Sequence, residues 1–335
     1  MTAPLKIDLR PVVHIGYHKT GTTWWQDVFY PACISHRYID RQIVRDMILK
    51  PYGLSFDADT ARARILEAAD GAAPLICEEA LTGNYLVGGL HGMVPLEVAR
   101  RIKAVFPDAR IIIGVRSQPG MLTAAFSQYV KVGGTFGPKR FLFPDSYFYS
   151  GSPDRFNEPR FDLKHFEYHR QVTLYQELFG LGNVIVLPFE EFQQDALECA
   201  RMLMDRLGIE ARYDNLNSAS RNPSLTPRAQ TFMRFLNLFT AERAKDKRSI
   251  IHIPGFFQAR KHLYKPLNRM LPGKGSPPSI LGKDTVAWIE ARFAQSNREL
   301  ARLTGIDLAS LGYVLDGEAD DLPSPLDPTQ KLIAK

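Results

Sequence analysis

Two glycines, one lysine and three threonines fall between residues 16 and 23, and these are residue types that hold a phosphate. The stretch reads Val12-Val13-His14-Ile15-Gly16-Tyr17-His18-Lys19-Thr20-Gly21-Thr22-Thr23-Trp24-Trp25. A β-branched apolar run ends in a glycine-punctuated turn, and a helical pattern begins at Trp24. Backbone N–H groups of such a loop, with the start of the following helix, attract an anion. Lys19 and the hydroxyls of Thr20, Thr22 and Thr23 can reach its oxygens. The spacing departs from the triphosphatase loop G-x-x-x-x-G-K-[ST]. Gly16 and Gly21 fit, but Thr22 stands where the lysine would be. A lysine inside the loop, at 19, suits a 5′-phosphoryl group and the oxygen leaving it better than a γ-phosphate.

Two further places could carry chemistry. Leu75-Ile76-Cys77-Glu78-Glu79 puts two carboxylates just after an apolar run. Adjacent residues leaving a strand point in opposite directions, so one of the pair faces a cleft. That acid is either a Mg²⁺ holder or a general base within reach of a hydroxyl proton. Burial beside a second carboxylate would raise the base's pKa toward neutrality. The other place is Arg116, which follows the run Ile111-Ile112-Ile113-Gly114-Val115.

The elements that must position these groups are legible as apolar runs and helical patterns. Runs suited to buried parallel strands are Val12–Tyr17, Pro74–Cys77, Arg110–Val115 and Asn183–Pro188. Helical patterns span Thr23–Cys33, Asp59–Ala69, Pro95–Phe106, Pro119–Val132, Phe161–Phe179, Asp195–Leu207 and Gly282–Leu303. The alternation implies an α/β fold: a central parallel sheet between two helical layers, with ligands at the carboxyl ends of the strands. Residues 133–159 and 253–279 are rich in Gly, Pro and aromatics and read as irregular, the first as a loop or lid. The expectation is a single domain over 1–320, with a basic cover segment at 225–280 and a flexible tail at 321–335.

The loop Lys19-Thr20-Gly21-Thr22-Thr23-Trp24 resembles the K-[ST]-G-T-T-[WL] signature of sulfotransferases that use 3′-phosphoadenosine 5′-phosphosulfate (PAPS). Glu79-Ala80-Leu81-Thr82-Gly83 resembles the bacterial S-E-A-L-S-G segment, with Glu78 in place of the serine. Phe126-Ser127-Gln128-Tyr129-Val130-Lys131-Val132-Gly133-Gly134-Thr135 resembles the bacterial Y-x-Q-Y-V-K-x-G-G-T helix. The resemblance implies a phosphate-loop sulfotransferase fold and in-line transfer of a sulfuryl group to a hydroxyl, with a carbohydrate or glycolipid as acceptor and no metal. Glu79 would be the base. Lys19 would stabilise the leaving phosphate, an effect worth about 3–4 kcal/mol for one good donor. Residues His18, Lys19, Thr20, Gly21, Thr22, Thr23 and Trp24 would meet the 5′ end, and Arg116 the 3′-phosphate. The family's 3′-site serine falls at Ala124. Thr123 and Ser127 are the candidate substitutes; otherwise Arg116 and the basic segment act alone. Glu190, in Phe189-Glu190-Glu191-Phe192, would tether loops near the nucleotide. Arg221-Asn222-Pro223-Ser224-Leu225 would open a late helix.

The chain has 335 residues, 45% hydrophobic and 23% charged, the composition of a globular protein. No signal peptide or spanning helix is expected, and three scattered cysteines (Cys33, Cys77, Cys199) fit a reducing cytoplasm. Eleven Lys/Arg lie between Arg228 and Lys274. Such a segment favours an anion: cofactor phosphate, acidic glycan or membrane surface. Arg260, Lys261 and Lys265 are its candidate phosphate contacts. No nucleic-acid motif is present. His165 and His169 lack a third partner for a metal. Two other classes remain open: an ATP–Mg²⁺ kinase or triphosphatase, and a non-catalytic binding member with a degraded 3′ site.

Overall fold

The computed structural model describes residues 7–144, 159–212, 225–244, 247–271 and 280–317. Five strands form one all-parallel sheet: β1 Val12–His14, β2 His36–Tyr38, β3 Ala73–Cys77, β4 Arg110–Val115 and β5 Val184–Pro188. Their order is β2-β3-β1-β4-β5, so β1 lies at the centre. Register sets Val13 opposite Ile76 and Ile111. The ladder continues past β1 as the sequence pattern predicts. Ile15 donates to the Ile112 carbonyl at 3.0 Å, and Tyr17 to that of Gly114 at 2.7 Å.

Strand residues divide between two cores with a period of two, as a sheet covered on both faces requires. Val13, Ile15, Ile76, Ile111, Ile113, Val115 and Val186 join one core. Val12, Leu75, Cys77, Ile112, Ile185 and Leu187 join the other. The first core is closed by helices Met93–Val105, Gln118–Lys131, Tyr168–Phe179 and Lys283–Thr304. The second is closed by the helical stretch from Trp24 to Tyr30 and by helix Ala196–Leu207. The α/β/α layering expected from the sequence is what the chain forms.

Three local readings need correction. β2 pairs only at the sheet edge, through His36–Tyr38 against Ala73–Leu75. Its three residues include two polar ones and leave no apolar run to detect. The stretch from 253 to 279 is not irregular as far as it is described: Phe256–Ala259, Arg260–Leu263 and Tyr264–Met270 are successive helical turns. Pro138–Leu142 is a helix inside the expected loop at 133–159. Residues 145–158, Arg221–Ser224, Lys245, Lys274 and the tail 321–335 lie outside the described residues.

Candidate functional site

The loop leaves β1 at the carboxyl edge of the sheet and needs unusual backbone to turn there. Gly16 and Gly21 both sit at φ 83°, and Lys19, a non-glycine, at φ 66°. That left-handed conformation costs an ordinary residue roughly 1–2 kcal/mol. Gly16 also lets the β3 end approach: a Cβ there would stand 3.0 Å from Cα and Cβ of Glu79. Thr20 is buried, and its hydroxyl donates to the Tyr17 carbonyl at 2.6 Å, closing the turn. Gly114 of β4 leaves room for it, since a Cβ there would lie 2.7 Å from the Thr20 Oγ1. Thr22 is buried, Thr23 is exposed, and Gly21 caps the helix start with no side chain. Trp24 lies in the second core, 5.4 Å from the Phe192 ring.

Lys19 reaches across the loop to the helix Gln118–Lys131. Its ammonium donates to Gln128 Oε1 at 2.8 Å. Partial burial and the nearby Lys131 hold its pKa below the ordinary lysine value, although Glu79 opposes them. Lys131 is itself lowered by burial and makes no ion pair among the described residues. Arg116 donates to the Lys19 carbonyl at 3.2 Å and lies 4.4 Å over the Phe189 ring. Burial lowers its pKa, with Glu190 opposing. Three cations therefore converge on one loop, and no carboxylate is bonded to any of them among the described residues.

The two carboxylates after β3 have different surroundings. Glu78 is wholly buried and caps the turn Glu79–Thr82 through the Ala80 amide at 2.9 Å. Arg41 grips it with two hydrogen bonds of 2.9 and 3.1 Å, and Arg45 adds a contact at 2.8 Å. Burial alone would raise its pKa, but these donors outweigh that and hold it below the usual carboxylate value. Glu79 keeps a fifth of its side chain exposed and faces the loop. It accepts from Arg41 at 2.7 Å and from Gln26 at 3.1 Å. The surroundings are thus not a bare carboxylate pair, because Arg41 and Arg45 stand between the two acids and solvent. Both arginines belong to the helical stretch Arg41–Leu49, which is not among the expected helices although Ile43, Val44, Met47 and Ile48 recur at helical spacing.

On the Arg116 side the two candidate hydroxyls are committed elsewhere. Thr123 donates to the Pro119 carbonyl of its own helix at 2.7 Å. Ser127 is buried and accepts from Gln230 of helix Pro227–Leu236 at 2.7 Å. The partly exposed face of the Gln118–Lys131 helix carries Gly120, Ala124, Gln128 and Lys131 instead. Gln128 and Lys131 are the site residues that sequence reasoning passed over, although both belong to the quoted helix motif. Behind Arg116, Glu190 accepts from the Ser117 amide at 3.0 Å and from the Tyr313 hydroxyl at 2.9 Å. It ties the β4 and β5 ends to the C-terminal segment.

His18 stands between Lys19 and the Tyr85 ring, 5.0 Å from the latter. Burial pushes its pKa down to about 4 against the pull of Glu79, so it is neutral at pH 7. His165, in the turn Leu163–Phe166, lies 5.5 Å from the Tyr17 ring, while His169 sits on the next helix and meets Ser296. The two do not share a helix face. Of the basic segment, Arg260 is buried and donates to the Lys131 carbonyl at 2.9 Å, so it supports the helix end that carries Lys131. Lys261 and Lys265 are exposed.

Comparison with known proteins leaves this geometry to speak for itself. No family model matches the chain, and no curated protein matches it. Among solved structures it is similar to a sulfotransferase from Alicyclobacillus acidocaldarius, with 16% identity and a TM-score of 0.46 over 80% of this chain and 98% of that one. So distant a likeness says nothing about donor or acceptor.

Proposed function

We propose that the chain transfers a sulfuryl group from PAPS to an acceptor hydroxyl, of a carbohydrate or glycolipid. The observation that carries this reading is the convergence of Lys19, Lys131 and Arg116 on one loop, with no bonded counter-ion among the described residues, opposite a carboxylate held at the same sheet edge. The donor set suits a phosphosulfate: Lys19, the loop amides and the Thr22–Thr23 turn at its 5′ end, Arg116 toward its 3′ end. The bound donor would supply an electrophilic sulfur and a phosphate leaving group. Lys19 would stabilise negative charge growing on that phosphate, and Lys131 would strengthen the local field. Glu79 would take the acceptor proton. Each of its oxygens has one partner in the structure and so keeps a lone pair for that proton. Arg41 and Gln26 would fix the carboxylate's direction.

The kinase reading shares the Gly16–Gly21 spacing but fits less well. Arg41 and Arg45 occupy Glu78, and Arg41 also holds Glu79, so the acids after β3 face positive charge where a divalent cation would need them. Calorimetric titration with adenosine 3′,5′-bisphosphate, run beside ATP–Mg²⁺, separates the two. Micromolar bisphosphate binding that Lys19→Ala abolishes, with none for ATP, supports the sulfotransferase. ATP binding without bisphosphate binding supports the kinase, and silence to both a non-catalytic role.

A further inference from the structure

The segment from Lys247 to Leu271 contains six Lys/Arg and no Asp or Glu. It also exposes large apolar side chains: Ile250 at 74%, Ile251 at 55% and Ile253 at 43%. These isoleucines lie together because the Ile250 and Ile253 amides donate to the carbonyls of Leu238 and Phe239, at 2.8 and 3.1 Å. Phe235, more than half exposed, extends the patch, with its ring 5.5 Å from that of Phe239. Exposed Arg248 leads directly into the isoleucines, and exposed Arg243 and Lys261 both approach the Phe257 ring, at 5.4 and 5.2 Å. Contiguous exposed apolar surface marks an interaction site.

We propose that this face docks on an anionic phospholipid bilayer, with the isoleucines and Phe235 entering the headgroup–acyl boundary and the cations meeting lipid phosphates. The two chemistries together select the occupant. An apolar–water boundary rewards the isoleucines, and negative surface charge rewards the cations. A second copy seated through the same patch would set these cations against each other. No described helix is long and apolar enough to cross a membrane, so the contact is peripheral. The docking face is fastened to the candidate site: Arg248 donates its amide to Thr135 Oγ1 at 2.8 Å, and Arg260 and Tyr264 both hold the Lys131 carbonyl. A docked chain would therefore carry the cleft beside the bilayer.

Vesicle flotation of the full chain tests this. Vesicles of phosphatidylcholine with about one third phosphatidylglycerol should carry the protein, and pure phosphatidylcholine should not. Ile250→Asp with Ile251→Asp should weaken binding at least about tenfold, as should Arg248→Glu with Lys261→Glu. Leu54→Asp, at a site 92% exposed outside this segment, should leave it unchanged. Melting temperatures of all variants should stay near that of the parent, since every substituted side chain is exposed. Failure of the parent chain to bind overturns the proposal. So does an Ile250/Ile251 variant that binds like the parent, which would mean adsorption by charge alone. Sedimentation that shows a dimer broken by the isoleucine substitutions would give the face to a second copy instead.

Discussion

The two ends of the candidate cleft are built to different standards. At the β1–β3 end the three charged groups are each placed by others: Lys19 by Gln128, Glu79 by Arg41 and Gln26, and Glu78 by two arginines and an amide. At the β4 end neither candidate hydroxyl is free to join Arg116. Thr123 and Ser127 are spent within the helical layer, and Ala124 lies on the partly exposed side of its helix. Preorganised donors matter most where charge develops during reaction, and less where a ligand is merely held. On the proposed function, the first end sets rate and the second sets affinity.

Breaking the first end should therefore have the largest consequence. Glu79→Gln should lower the transfer rate by about 10²–10⁴-fold with folding intact, as measured by single-turnover sulfuryl transfer. Glu78→Gln should act on stability instead. It removes the charge that pairs with the partly exposed Arg41 and Arg45, at about 1–3 kcal/mol, read by urea denaturation. If the two variants exchanged these phenotypes, the assignment of base and anchor would be reversed.

The second end is sharpened by a gain rather than a loss. Ala124→Ser puts a hydroxyl on the face of Gly120 and Gln128, and should tighten adenosine 3′,5′-bisphosphate about fivefold, the worth of one neutral hydrogen bond. Ser127→Ala should leave that affinity alone and cost about 1 kcal/mol of stability through the lost Gln230 contact. Calorimetry and thermal melting read the two.

Acidity tests the burial of the histidines at the first end. His18 and His165 are held by burial at about 4 and about 3, below the ordinary histidine value of 6.5. The unfolded chain takes up protons first, so the stability these groups contribute is full above pH 6.5 and falls as pH drops through the folded values. Glu78, also lowered, adds to the loss below its ordinary value of 4.5. A melting temperature that declines from pH 6.5, with His18→Gln removing part of the slope, checks the sign.

The loop and the sheet were readable because each leaves a dense local trace. Glycines at 16 and 21 answer a backbone demand, and the β-branched runs answer burial on two faces. What escaped was supplied from a distance. Arg41 and Arg45 reach Glu78 across some 35 residues of sequence, from a short helix whose apolar stripe (Ile43, Val44, Met47, Ile48) shows that it packs but not what its arginines reach. Ser127 was a candidate by its distance along the chain from Ala124. Three residues of helix turn a side chain about 60° out of line, whereas four return it nearly to the same face. Phe126 and Val130, buried beside Ser127, mark that face as the packed one. The motif's Gln128 and Lys131 carried the signal for the open face.

Lys19 has a consequence of another kind. It is a bulky residue held at φ 66°, where glycine would rest without strain. Lys19→Gly should make the folded chain more robust while it removes the ammonium from the cleft. A population of variants selected for heat tolerance alone would drift toward glycine at this position, and one selected for turnover would drift back. The residue is thus a place where durability and chemistry pull the same codon in opposite directions.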